Sequence, residues 1–340
     1  MIDHAVRWAQ WRRAAGFVLG LLALSGCDTI GLALGTRMRL SNVPVRALSL
    51  RLAPQPALSP GARAQLVVTA TTPDGAQLVT VGTEGGKVLF DSFAIDAQIV
   101  SVGPRGEVQL PADPRLSLGQ VPQVRVRVVG QPSVSAQLDI PVRYDVRYVA
   151  HFVGQAGRDG AAGKDGAAGA DGAAGSSDSR NPSPGGPGAN GESGGNGEDG
   201  GNGEEGPQLQ AWITMARTEP PMLQVRVLVD QARELFYQVD PQGGSLSLRS
   251  EGGSGGSGGP GGRGGPGGRG GDGSPSGTSG FTGSDGFSGS SGWRGEPGRI
   301  VVSVDPRALP YLDHFDIAAG RGHGTGPGPK MVVEPVAPWW

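Results

Sequence analysis

Residues 252–273 read GGSGGSGGPGGRGGPGGRGGDG, and glycine occupies every third position from one end to the other. Up to Gly271, the position after each of these glycines is also glycine. A period of three is typical of a left-handed, polyproline II type helix, which has three residues per turn and no internal hydrogen bonds. Two of its three faces then carry no side chain. The sequence therefore predicts a helix that packs its backbone closely against neighbours on two sides.

Three other segments have the same period and the same length as this one. We number the four segments in chain order as blocks one to four, with 252–273 as block three. Block one is 154–175 (GQAGRDGAAGKDGAAGADGAAG), block two is 185–206 (GGPGANGESGGNGEDGGNGEEG) and block four is 277–298 (GTSGFTGSDGFSGSSGWRGEPG). Segments that run side by side require equal lengths, so the match indicates that the blocks pack together.

Two ordered architectures satisfy the backbone of such blocks. One is a collagen triple helix of three chains, and the other is a bundle of polyglycine II helices from one chain. Collagen relies on proline, yet block one has none and block four has only Pro297. The two bare faces of block three and the matched lengths also favour the bundle. A trimeric collagen remains the alternative, and GGS repeats are also typical of flexible linkers.

The connections between the blocks agree with an antiparallel bundle. Segment 176–184 would turn block one back into block two, and 274–276 would join blocks three and four. The other block ends meet β-like stretches, which we expect to form a base sheet that clamps a rod of about 70 Å. These stretches are Tyr144–Val153, Leu209–Arg217, Leu223–Val229, Leu246–Arg249 and Ile300–Val304.

The region 43–143 has an ordinary glycine content and short runs of β-branched residues at regular spacing. Leu66 to Thr72 (LVVTATT), for example, ends at the turn signal Pro73-Asp74-Gly75. Regular short strands with Gly/Pro turns predict an immunoglobulin-like β-sandwich. The fold class is therefore predicted as mainly β, with little α-helix outside segment 1–26.

Segment 1–26 is predicted as a signal peptide. Arginines precede a short apolar run, AAGFVLGLLAL at 14–24, which is too short to span a bilayer comfortably. The run ends in Leu24, Ser25 and Gly26 before Cys27, the only cysteine in the chain. This arrangement resembles the bacterial lipoprotein signal. The resemblance implies cleavage before Cys27 and attachment of lipid to its thiol, so a lipid membrane is the expected partner.

These boundaries divide the chain into five predicted regions. They are a signal peptide (1–26), a tether (27–42), an Ig-like sandwich (43–143), a base sheet with inserted glycine hairpins at 154–206 and 252–298 (144–318), and a Gly/Pro-rich tail (319–340).

The period-three blocks resemble those of bacterial collagen-like and glycine-rich surface lipoproteins. The GGX rhythm of block three is similar to the polyglycine II bundles of springtail antifreeze proteins and of some phage tail-tip adhesins. The resemblance implies a palmitoylated structural, display or adhesive rod in the bacterial cell envelope. It would lie on the outer membrane or on the periplasmic face of the inner membrane. A ligand- or ice-binding module with a regular polyglycine II face is a further alternative.

No arrangement of residues predicts catalysis, a cofactor or a metal. The four histidines lack metal-ligand spacing, and the G-x-G-x-x-G matches lie in glycine-rich sequence, away from any strand-to-helix turn. With 29 basic and 31 acidic residues, there is no basic excess for binding nucleic acid.

Phe281, Phe287 and Trp293 fall six residues apart on one face of block four and either pack on the bundle or form an interaction stripe. We expect a monomer, or a trimer if collagen-like, with an envelope or extracellular protein or a glycan as partner.

Overall fold

The computed structural model describes residues 36–82, 85–324 and 326–340. The predicted signal peptide, Cys27 and the three residues before it lie outside the described residues. Strands account for 33% of the chain and helical turns for 5%, so the prediction of a mainly β protein is confirmed. The chain divides into two compact units, one ending at Val146 and the other beginning at Arg147.

The first unit contains two sheets. One has the strand order β1-β2-β6-β5, with β3 paired to β2 as well, and the other has the order β4-β7-β8. Every pairing between these named strands is antiparallel. The strands are β1 (Ala47–Ala53), β2 (Arg63–Thr71), β3 (Gln77–Val79), β4 (Phe93–Gln98), β5 (Ser101–Val102), β6 (Glu107–Gln109), β7 (Gln123–Val128) and β8 (Gln131–Asp139).

One hydrophobic core serves both sheets of the first unit. Leu66 and Val68 of β2 are fully buried in the same cluster as Val124 and Val126 of β7. In β7 (QVRVRV) the valines are buried while Arg125 and Arg127 are exposed, as the two-residue period of a half-buried strand requires. Burial of alternate β-branched residues from both sheets therefore holds this unit together.

The second unit contains two further sheets. One has the order β12-β11-β10-β14-β16, and the other has the order β15-β13-β9. The β10-β11-β12 pairings are antiparallel, while the remaining ones are parallel. The strands are β9 (Arg147–Val153), β10 (Leu209–Met215), β11 (Leu223–Val229), β12 (Arg233–Val239), β13 (Ser245–Glu251), β14 (Ile300–Val304), β15 (Phe315–Ala319) and β16 (Lys330–Val333).

Each glycine block is continuous with one strand of these sheets. Blocks one and three follow β9 and β13, which are parallel neighbours. Blocks two and four lead into β10 and β14, which are also parallel neighbours. Each block therefore has one end held in place by strand pairing, and all four of these ends meet the sheets.

Backbone hydrogen bonds join the blocks at every third residue. Block one amides donate to the parallel block three over 2.6–2.9 Å, and block two amides donate to the parallel block four over 2.9 Å. Three antiparallel ladders of 2.8–2.9 Å run from block two to block one, from block three to block two and from block four to block three. Among the described residues no ladder joins blocks one and four, so blocks two and three each have three neighbours.

The in-register glycines leave no room for a Cβ atom. A Cβ on Gly258 would overlap the carbonyl oxygen of Gly289 in block four, and one on Gly259 would overlap that of Ala161 in block one. These glycines do not adopt the left-handed backbone region. They are needed because neighbouring backbones approach closely, which accounts for the two glycine registers of block three.

The C-terminal segment packs on the second unit. The stretch 319–340, predicted as a tail, contains β16, and its last residues contact β11. Gln224 is fully buried, and it accepts a hydrogen bond from the Trp339 amide and donates one to the Trp340 carbonyl. The Trp340 ring meets Phe236 edge to face at 5.7 Å.

Candidate functional site

The predicted stripe on block four is exposed. Phe281 and Phe287 each retain 79% of their accessible surface and Trp293 retains 66%. Such values are unusual for large aromatic side chains, which are generally buried. The three rings therefore form an exposed aromatic stripe along block four.

Asparagine side chains of block two fix the backbone beneath the stripe. The Oδ1 atoms of Asn190, Asn196 and Asn202 accept hydrogen bonds from the amides of Phe281, Phe287 and Trp293 over 2.8–2.9 Å. Each of these residues follows an in-register glycine of block four, and its amide donates to no backbone carbonyl in the ladders. The side-chain carbonyls satisfy them and hold the aromatic positions at a regular spacing.

Block one supplies an equivalent set of carboxylates to block three. Oδ1 atoms of Asp159, Asp165 and Asp171 each accept a 2.7 Å hydrogen bond from an amide of block three. The sequence patterns considered above did not predict either set. The available signal was the six-residue spacing of these aspartates, which places them on one face at three residues per turn.

Trp293 also lines an open cleft of about 610 Å³ near the base of the blocks. Its ring meets His323 in a T-shaped contact, with centroids 4.6 Å apart and planes at 90°. The remaining side chains around the cleft are Asn202, Glu205, Arg294 and Glu296. The cleft thus combines an exposed aromatic ring with two carboxylates, an amide and a guanidinium.

A short loop holds His323 in this position. The Gly320 amide donates to the Ser250 carbonyl, and the Arg321 carbonyl accepts from Gly252, both at 3.0 Å. The His323 amide donates to the Gly295 carbonyl at 3.2 Å. A Cβ on Gly322 would overlap the ring of Pro297, so the loop lies directly on the end of block four.

The sheet β15-β13-β9 brings together a histidine, a serine and an aspartate. His151 Nε2 lies 3.1 Å from Ser247 Oγ, which also lies 3.1 Å from Asp316 Oδ2. The hydroxyl donates to the carboxylate, so it accepts from the imidazole. A nucleophilic serine needs the opposite order, in which an imidazole accepts the hydroxyl proton and a carboxylate orients the imidazole.

Asp316 is further tied to Arg249, whose Nη2 atom lies 2.8 Å away. This hydrogen bond, with a second from Ser247, lowers the pKa of the Asp316 carboxyl below its ordinary value. The cluster therefore cross-links three parallel strands. His151 and Asp316 are far apart in the sequence, and no pattern in it connects them.

The remaining candidates for chemistry are few. His314 Nδ1 is 2.8 Å from the carbonyl of Gly244. Within the described ranges, no group of three or more histidine, cysteine, aspartate or glutamate residues is placed to hold a metal ion. In the same ranges, no helix has the length and apolar character needed to cross a membrane.

Comparisons of this chain with family models, with curated proteins and with solved structures found no match.

Proposed function

We propose that this chain is a lipid-anchored bacterial envelope protein that carries a rigid polyglycine II rod for a structural, display or adhesive role, without catalysis. The observation that carries the proposal is the set of five backbone ladders joining the four glycine blocks. They pair amides and carbonyls from every block, which a polyproline II type helix cannot pair internally. A single chain supplies both sides of each ladder, which favours a monomeric bundle over a collagen trimer.

The base supports the rod in this proposal. The four strands that adjoin the blocks form two parallel pairs, β9 with β13 and β10 with β14. The sheets therefore align the block ends at the point where the glycine ladders start. Pairing one long element with another costs loop-closure entropy, and the sheets reduce that cost by holding the ends together. A clamped bundle of this kind resists bending better than a flexible glycine linker.

We infer that the first unit is the predicted Ig-like sandwich and serves as a spacer. Its sheet orders β1-β2-β6-β5 and β4-β7-β8 correspond to the A-B-E-D and C-F-G sheets of a constant-type immunoglobulin fold when β3 is set aside. Modules of this type are commonly used between an anchor and a functional element. The inference assigns no binding site to this unit.

The lipid anchor is tested in cells of the producing bacterium. Labelled palmitate is expected to enter the full-length chain, and Cys27→Ser is expected to abolish the labelling. Protease added to intact cells would then distinguish a surface-exposed chain from a periplasmic one. Equal labelling of the wild type and Cys27→Ser would contradict the anchor.

Two alternatives to the monomeric rod predict different measurements. A homotrimeric collagen-like protein would have three times the monomer mass and a cooperative collagen melting transition. An ice-binding module would produce thermal hysteresis at modest protein concentration. Ala161 and Ala167 give block one a partial alanine face. Arg158 and Lys164 lie on the same face, and their charges interrupt a flat apolar surface.

A further inference from the structure

We propose that the cleft beside Trp293 binds a non-acidic oligosaccharide, with one sugar ring stacked on the indole and the chain continuing along the stripe of Phe287 and Phe281. This inference deepens the proposed adhesive role and rests on it, because it requires block four to lie on the outer surface of a rigid rod. Binding is non-covalent and involves no reaction.

The cleft presents an apolar ring and hydrogen-bonding groups, which complement the apolar face and the hydroxyl groups of a sugar. Trp293 offers an exposed aromatic ring, which packs against the apolar C–H face of a pyranose. Glu205 and Glu296 offer carboxylate oxygens that accept from hydroxyl groups at the rim of the sugar. The Oδ1 atom of Asn202 is already bonded to the Trp293 amide, which leaves its Nδ2 donor for the ligand.

The cleft is built in advance of binding. His323 contacts the indole edge to face, and the loop that carries it is bonded to block four and to the start of block three. The cleft is open and has a volume of about 610 Å³, so it can take one ring of an extended chain without enclosing it. A preformed site loses less conformational entropy when it binds.

The charges around the cleft favour a ligand without acidic groups. Glu205 and Glu296 provide two negative charges against one guanidinium, and Arg294 already donates through Nη1 to the Gly252 carbonyl at 3.0 Å. A uronic acid or a sulfated sugar would meet a net negative charge. Neutral and amino sugars would instead donate hydrogen bonds to them.

The stripe extends the cleft as a series of separate rings. Adjacent aromatic positions lie six residues apart, about 19 Å along a helix of this type. Exposed hydroxyl residues such as Ser284 and Ser290 lie between them. A protein interface has a contiguous apolar core, which the stripe lacks. Isolated rings alternating with hydroxyls suit an extended polymer that is itself both apolar and hydroxylated.

The test uses the full-length chain in a polyoxyethylene detergent, because detergents with sugar headgroups would compete. The probes are β-1,4-linked hexasaccharides of glucose, N-acetylglucosamine and mannose, with hexagalacturonate as the acidic comparison. Binding is measured by calorimetry and by tryptophan fluorescence. We expect at least one neutral probe to bind more tightly than hexagalacturonate, and Trp293→Ala to weaken that binding by at least about tenfold.

Two further variants distinguish binding along the cleft and the stripe from binding elsewhere on the molecule. Phe287→Ala, about 19 Å along block four from Trp293, is expected to weaken binding of the hexasaccharide but not of the matching disaccharide. Met331→Ala, which removes an exposed apolar side chain on β16, is expected to leave both unchanged. Amide hydrogen exchange on the same samples reports whether the glycine ladders are present.

Three results would overturn the inference while the exchange pattern shows an intact bundle. They are failure of all three neutral probes to bind, tighter binding of hexagalacturonate, and neutral-probe binding that Trp293→Ala leaves unchanged. Loss of the exchange pattern in the wild-type chain would instead contradict the rod itself and, with it, the inference. The two failures are therefore distinguishable.

Discussion

Asp165 in block one accepts a 2.7 Å hydrogen bond from the main-chain amide of Arg263 in block three, 98 residues further along the chain. The same separation relates Ala150 to Leu248, which are paired in the adjacent strands β9 and β13. The register set by the sheet therefore continues into the glycine blocks. A sheet that fixes the register at one end removes the slippage to which repetitive sequences are otherwise prone.

The glycine registers give a matched pair of substitutions. Gly259→Ala would place a Cβ onto the carbonyl oxygen of Ala161, and we expect a loss of about 3 kcal/mol in unfolding free energy. Gly195→Ala places its Cβ 3.3 Å from the Lys164 amide nitrogen, in a register where Ala189 is native. We expect this control to be neutral within about 0.5 kcal/mol. Chemical denaturation measures both, and equal losses would contradict the packing.

The asparagine set beneath the stripe gives a second prediction. Asn196→Ala removes the acceptor of the Phe287 amide, which then bonds only to water. We expect a loss of about 0.5–1 kcal/mol and faster exchange of that amide. Ser193→Ala alters an exposed residue of the same register and is the control. Exchange of the Phe287 amide at the wild-type rate in Asn196→Ala would count against this role.

Asp305 gives the chain a pH dependence. Hydrogen bonding to Arg307 is the main cause that lowers the pKa of this buried carboxyl from 3.8 to about 2, and the Val336 amide adds to it. Because the folded pKa lies below the unfolded one, the stabilisation is complete above about pH 4 and is lost as the pH falls towards 2.

The corresponding variant is Asp305→Asn. We expect it to lower the unfolding free energy by about 2 kcal/mol near pH 6 and to flatten the profile between pH 4 and pH 2. Asp313→Asn changes an exposed carboxylate in the 3₁₀ helix Pro306–His314, which Asp305 caps, and serves as the control. A wild-type profile in Asp305→Asn would show that this carboxylate does not hold the C-terminal segment.

Gln224 tests the packing of the C-terminal tryptophans. Gln224→Ala removes both bonds to residues 339 and 340 and leaves their main-chain groups unpaired. We expect a loss of about 2 kcal/mol and a red shift in tryptophan emission. Gln210→Ala, at an exposed position of β10, is the control. Unchanged emission in Gln224→Ala would contradict this packing.

The sequence predicted the strands that adjoin the glycine blocks but missed others. β12 was missed because its hairpin turns through Asp230 and Gln231, which adopt a positive φ without the glycine that usually marks such a turn. β15 and β16 are short and pair in parallel with strands distant in sequence, so their partners decide their conformation. In the first unit, Val88 forms only isolated bridges, to Met38 and to Thr80, although a β-branched residue at this spacing is typical of a strand.

The candidate site was predicted in part. The spacing of Phe281, Phe287 and Trp293 followed from three residues per turn, but their exposure depends on which blocks are neighbours. His323 lies far beyond Trp293 along the chain, in a loop with no distinctive pattern, so no sequence signal joined them. The period of three shows from the sequence which positions lack side chains. The contacts of the other positions depend on which blocks are neighbours, and the period does not show that.

Residue-resolved amide hydrogen exchange of block two tests the proposed bundle most directly. Block two donates from two registers, to block four from Gly188, Gly191 and their equivalents, and to block one from Ala189, Glu192 and theirs. We predict slow exchange at two of every three amides and fast exchange at the third, which includes Ser193 and Asn196, in a particle of monomer mass. Fast exchange throughout would indicate a flexible linker. Protection of every third amide alone, in a trimer, would indicate collagen, and either result would contradict the account.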